Sequence, residues 1–317
     1  MAAPHKTKQY LLALAKVLVL ALTFWYVFHR LQNNPDIDFS AFVMNIFSKG
    51  TSAGYFLLLF VVLATVNWTF EVLKWQSLAS TIEKMDFKTA LKQSLTSLTV
   101  SLATPNRIGE YGAKALFFEK DNRKKVLLLT FYSNAAQLIT TVLFGLVGLF
   151  YFLGNYDINY SYGTLIIFFL GIITIGAICY FFREKELLVK GFSIANTLRF
   201  FDTFSNSLKL KIFVFSILRY FSFSILFYVM LLFFGAEISF STSMALIFTM
   251  YFLVSIVPTI FILDVIVRGG VAVWLFSYLE IPELMVLSTV LLMWIFNFVL
   301  PSILGGIFVL TYQPTTR

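Results

Sequence analysis

The sequence predicts an all-α polytopic membrane protein, with about six spanning helices plus two broken or re-entrant helical hairpins, arranged as an inverted repeat. Three observations carry this reading. Of the 317 residues, 59% are hydrophobic and 13% are charged, roughly half the charged share of a soluble domain. Apolar runs recur at the length needed to cross a hydrocarbon core of about 30 Å. The charges that interrupt those runs gather at two places, 104–114 and 264–270.

The first half, 1–155, contains spans at 10–28, 52–73 and 126–153, with a hairpin at 89–118 before the last of them. Lys6 and Lys8 precede the first span as in a signal peptide. The run continues into Trp25, Tyr26, His29 and Arg30 with no small-residue cleavage site, so a retained helix is expected. Glu71 and Lys74 close the 52–73 span beside Trp68 and Trp75, a pattern that reads as interfacial anchoring. The 89–118 segment is interrupted at Thr104-Pro105-Asn106-Arg107-Ile108-Gly109-Glu110. Its arms are short, which suits a re-entrant hairpin; irregular backbone at membrane depth needs protein or a water-filled cavity around it. Asn134 and Gln137 on the 126–153 span suit either a polar path or hydrogen bonds between helices.

The second half, 156–317, contains spans at 165–182, 212–234 and 284–310, with a hairpin at 239–279. Residues 183–211 alternate charge with Leu187, Leu188, Phe192, Leu198, Phe201, Phe204 and Leu208, the pattern of an amphipathic helix lying in the cytoplasmic interface. Arg219 lies two turns inside its span, where snorkelling and a role at membrane depth both remain open. The 239–279 segment is broken at Pro258 and at Asp264-Val265-Ile266-Val267-Arg268-Gly269-Gly270. Its leading arm is long enough that a pair of full spans is an alternative to a re-entrant hairpin. Asn297 on the last span poses the same choice as Asn134.

An odd number of crossings per half inverts the second half relative to the first, and the two broken segments then enter from opposite sides. Loop charge sets the orientation. Lys84, Lys88, Lys92, Lys120, Arg123, Lys124, Lys125, Arg183, Lys185 and Lys190 fall on one side, while the other offers Arg30 and Lys49 among acids such as Asp36, Asp38 and Asp157. The basic side is cytoplasmic, and so are both termini. The net charge of +8 accordingly reports loops beside anionic lipid rather than a nucleic-acid partner.

Several chemistries are excluded at this level. One cysteine, Cys179, makes no intrachain disulfide, and His5 and His29 have no ligand neighbours at helical spacing, so no metal or cofactor is expected. A phosphate loop before Lys-Ser, a His-Glu-x-x-His zinc motif and a Gly-x-Ser-x-Gly elbow are all missing.

The residues left for function are the charges at the two breaks. Proline and glycine open a helix and expose amides where an anion is stabilised. In a helix running from Asn106, Arg107, Glu110 and Lys114 share one face. Arg107 suits a phosphate oxygen bidentately, and Glu110 would orient it or carry a proton. Asp264 and Arg268, at i and i+4, form the second charged pair; they are either a self-contained salt bridge or the opposing half of a site.

Thr104, Pro105, Arg107, Ile108, Gly109, Glu110 and Lys114 resemble the motif of the lysylphosphatidylglycerol synthase transmembrane region family, with Asn106 where glycine is usual. Leu73-Lys74-Trp75-Gln76-Ser77-Leu78 is similar to the family's ending of the preceding span, and Pro258 with Val267-Arg268-Gly269-Gly270 to its second motif, although here the glycines follow the charged pair. The resemblance implies a flippase-like bacterial cytoplasmic-membrane protein. It further implies a stand-alone member, the chain closing on Tyr312-Gln313-Pro314-Thr315-Thr316-Arg317 without the soluble aminoacyl-transferring domain. The expected partner is a phospholipid or polyprenyl-phosphate lipid, bound through Arg107, Asn106, Glu110, Lys114, Asp264, Arg268 and Arg219. A membrane scaffold or an intramembrane lipid-modifying enzyme are the alternatives, and oligomeric state is left open.

Overall fold

The computed structural model describes residues 44, 50–101, 104, 107–157, 184–185, 193–257 and 261–310. The spans expected at 10–28 and 165–182 lie outside these residues, as do Pro105, Asn106, Pro258 and the side chain of Asp264.

Among the described residues every regular element is helical. Helix α1, Thr51–Ala79, is followed by the broken pair α2, Phe87–Ser101, and α3, Gly109–Leu116, and then by α4, Arg123–Asn155. A short helix α5, Ile194–Asp202, leads into α6, Asn206–Phe234, and the second broken pair is α7, Phe240–Ile256, with α8, Phe261–Ser277. The last span is α9, Glu283–Trp294, a π-helical turn at Ile295–Val299, and α10, Leu300–Leu310. Four helices, covering 51–79, 120–155, 206–234 and 283–309, are long and apolar enough to cross a membrane, and each matches a predicted span. The chain is thus an all-helical multi-pass membrane protein.

Local chemistry sets the helix ends. Ser193, Ser205 and Ser239 cap α5, α6 and α7, each side chain accepting an amide three residues on. Gly235 ends α6 in the left-handed conformation that glycine adopts without strain. Asp86 accepts the Thr89 amide ahead of α2, and the Thr89 hydroxyl and amide hold its carboxyl below the usual range.

The broken pairs are short. With 15 and 8 residues, α2 and α3 reach about 22 and 12 Å, so neither crosses alone. Helices α7 and α8 have 17 residues each, about 25 Å, still less than a hydrocarbon core. Of the expected amphipathic segment 183–211, residues 194–202 form α5, 206–211 begin α6 and 186–192 lie outside the described residues; Phe201 of α5 and Phe204 beyond it dock on α4. Phe201 lies 4.8 Å and Phe204 5.2 Å from the Tyr132 ring, centroid to centroid.

Without a hydrophobic drive between helices in lipid, close packing has to come from shape. The two broken pairs are held in matching ways. Helix α4 lies on α7 through Gly145 and Gly148, where a Cβ would run into Phe252 and into the Ala245 carbonyl. Helix α10 lies on α2 through Gly305, where a Cβ would run into the Leu95 carbonyl and Thr99. There the Thr99 hydroxyl donates to the Ser302 carbonyl at 2.9 Å. Helix α4 therefore packs on the second broken pair and α10 on the first, while α1 and α6 pack on each other. Phe60, Phe227, Met230, Leu231, Met250 and Phe276 form the main core between them.

Gly305 and Gly306 provide a test. Gly305→Ala overpacks the α2–α10 contact and is expected to cost about 1–3 kcal/mol. A methyl group added at Gly306 would meet nothing within 4 Å, so Gly306→Ala should leave thermal unfolding of the detergent-solubilised protein unchanged.

Candidate functional site

The break between α2 and α3 is organised by one hydroxyl. Thr104 Oγ1 donates to the Ser101 carbonyl at 2.9 Å and accepts the Gly109 amide at 2.7 Å, tying the end of one arm to the start of the next. A Cβ at Gly109 would sit 2.8 Å from that same oxygen, so glycine is required by proximity. Helix α3 begins at Gly109, two residues after Arg107, which has φ of 55°. A non-glycine residue in this region is strained and is kept where the surroundings over-determine it.

This geometry changes two expectations. Arg107 is not on the face shared by Glu110 and Lys114, because it precedes the helix. The Gly109 amide is not left for an anion, because Thr104 takes it. Glu110 instead pairs with Lys114, Oε1 to Nζ 2.7 Å, while the Arg107 guanidinium lies 4.5 Å from the centroid of Phe298. Lys114 is fully buried, with Nζ 4.3 Å over the Trp75 ring.

A second ionic group corrects the reading of Glu71 and Lys74 as interfacial anchors. The helix continues to Ala79, and Glu71, Lys74 and Trp75 are all buried, Trp75 donating to Gln93 Oε1 at 2.8 Å. Glu71 Oε2 stands 2.9 Å from Lys74 Nζ and 3.4 Å from Arg219 Nη1. Arg219 also donates to Gln137 Oε1 at 3.2 Å. It is thus held by α1 and α4 instead of snorkelling along α6.

The asparagines divide between roles. Asn67 Nδ2 donates to Asn297 Oδ1 at 2.9 Å, and Trp68 Nε1 to the Asn297 carbonyl at 3.1 Å. Asn297 sits in the π-helical turn, so the irregular backbone of the last span is bonded to α1. Asn134 donates to the Tyr111 hydroxyl at 3.3 Å.

These groups surround a cavity of about 730 Å³. Arg107, Glu110, Arg219 and Arg268 line it together with Asn67, Tyr111, Asn134 and Gln137; Tyr220, Phe223, Tyr251, Trp294 and Phe298 add its aromatic wall. Both broken pairs and α1, α4, α6 and α9 contribute. The Arg268 guanidinium is 5.7 Å from the Tyr251 ring centroid. Lys114 lies behind the lining rather than in it, and Asn106 and the side chain of Asp264 fall outside what the structure describes. Among the described residues no three His, Cys, Asp or Glu side chains gather as metal ligands. The sequence reading did not single out Tyr111, Tyr220 or Tyr251; in an aromatic-rich chain nothing local distinguishes a cavity tyrosine from a core one.

A helical multi-pass membrane protein with an ionised cavity between two broken helix pairs is the class these features define. The chain belongs to the lysylphosphatidylglycerol synthase TM region family, whose family model matches residues 12–305. That family is the membrane part of such proteins rather than the aminoacyl-transferring catalytic domain, and it points to a function concerned with membrane lipid. No curated protein and no solved structure matches the chain.

Glu71 gives the site's stability test. Glu71→Gln removes the carboxylate facing Lys74 and Arg219, leaving buried cations without their counter-charge. The expected loss is about 3–5 kcal/mol, seen as a lower unfolding temperature than that of Lys88→Gln, a change at an exposed position.

Proposed function

We propose that the protein is a lipid translocase, carrying an anionic lipid with a phosphate headgroup between the leaflets of the cytoplasmic membrane. The observation that carries the reading is a shared cavity lined by Arg107, Glu110, Arg219 and Arg268 inside an otherwise apolar helical bundle. Ionised groups in such a place are expensive, and they default to function.

In this reading Arg107 and Arg268 hold the headgroup from the two broken pairs. Glu110, paired with Lys114 behind the lining, serves as the switch or proton carrier. The acyl chains stay in lipid. The matching packing of α4 on α7 and α10 on α2 supports an inverted repeat spanning 1–155 and 156–317. Rocking of one broken pair, together with the helix packed on it, against the other pair would open the cavity to one leaflet at a time. The basic loops support an orientation with both termini cytoplasmic.

The test is a proteoliposome assay with fluorescent anionic lipids. Arg107→Ala and Glu110→Gln should each slow translocation by roughly tenfold or more, the scale of a lost charge-assisted hydrogen bond. Undiminished transport in both variants would remove the site, and no transport of any lipid by the wild type would favour a scaffold.

A further inference from the structure

We infer that Phe298 is a positioning residue for Arg107, its ring holding the guanidinium at the cavity so that the arginine can grip a headgroup phosphate. This rests on the translocase reading and assigns one more residue to the same site.

The ring is placed from several sides. Phe298 lies in the π-helical turn Ile295–Val299 of the last span, a departure from α-helix that recurs at functional sites. The residue before it is fastened to α1. Asn297 Oδ1 accepts Asn67 Nδ2 at 2.9 Å, and the Asn297 carbonyl accepts Trp68 Nε1 at 3.1 Å. Asn297 Nδ2 in turn donates to the Met293 carbonyl at 3.0 Å. The Phe298 side chain is buried in an apolar cluster with Leu98 of α2 and Trp294 of α9, yet it also lines the cavity. Arg107 Cζ lies over this ring, 4.5 Å from its centroid.

An aromatic face attracts a cation without cancelling its charge. A carboxylate in the same place would hold Arg107 and repel a phosphate, while an aliphatic side chain would offer no attraction. A ring also suits a guanidinium, which can rest on it while presenting a planar fork of donors to oxygen pairs. Arg107 needs such a hold because its backbone is strained, with φ of 55°, a state kept only where the surroundings impose it. Thr104 secures the backbone of the break by bonding both arms, and Phe298 secures the far end of the side chain. The last span thereby reaches a charged residue of the first broken pair.

The full chain in phosphatidylcholine vesicles would be given fluorescent phosphatidylglycerol or phosphatidic acid over a range of mole fractions. Phe298→Leu should raise the half-saturating mole fraction roughly fivefold, the scale of a desolvated cation–π contact. Its maximal rate should stay within about twofold of wild type, the pattern of lost binding. Phe298→Tyr, which keeps the ring, should restore the wild-type value. In the Arg107→Ala background Phe298→Leu should change nothing further. That comparison reads only what passes from ring to guanidinium, whatever other groups Arg107 meets. The rise in unfolding temperature that phosphatidic acid gives the detergent-solubilised protein should show the same dependence, and it needs no transport. An equal effect of Phe298→Leu with and without Arg107, or no effect where Arg107→Ala slows transport, overturns the role of the ring and leaves the translocase reading intact. No movement of either lipid by the wild type overturns both.

Discussion

Glu71 is the constraint on which the membrane interior of this protein depends. Its carboxylate is shared between Lys74 on its own helix and Arg219 on α6, and Arg219 is in turn held by Gln137 on α4. Ionised side chains cannot be left unpaired away from water, so these three helices are fixed relative to one another wherever the charges are to stay buried. The cavity lies against this junction, with Gln137 and Arg219 belonging to both. Bundle geometry and site geometry are therefore set by the same contacts.

Much of the fold is legible in the sequence because lipid leaves few options. Span length, loop charge and the need to satisfy every backbone group select helices and their order. The two breaks are legible for the same reason: charge, proline and glycine within an apolar run have no structural purpose in a plain span. Arg107, Glu110, Arg219 and Arg268 are thus recognisable as candidates without any knowledge of their proximity. Partnership across the chain is not legible in this way. Hydropathy falls after Leu73, which ends the span on paper and makes Lys74 an anchor; the helix instead continues with a buried stripe through Trp75 and Leu78. Its ionic partner, Arg219, lies on α6, far along the chain, and no local pattern joins them. Likewise Thr104 reads as no more than a residue before a proline, whereas its hydroxyl bonds both arms of the break.

The packing of the broken pairs has a mechanical meaning. Each is gripped through glycines by α4 or α10, so a broken pair moves together with the helix that holds it. Interfaces of this kind slide poorly, because a close backbone approach tolerates little change of register. Relative motion is thereby directed toward rigid-body tilting and away from shear.

The π-helical turn at Ile295–Val299 adds a residue to the register of the last span. One residue turns a helix face by about 100°, so the span looks in different directions before and after the insertion. Helix α9 faces α6 and α8, whereas α10 presents Gly305 to α2. A single membrane crossing thus works as two differently aimed surfaces joined by a swivel. Deleting one residue there would leave its length almost unchanged while pointing the glycine contact away from its neighbour.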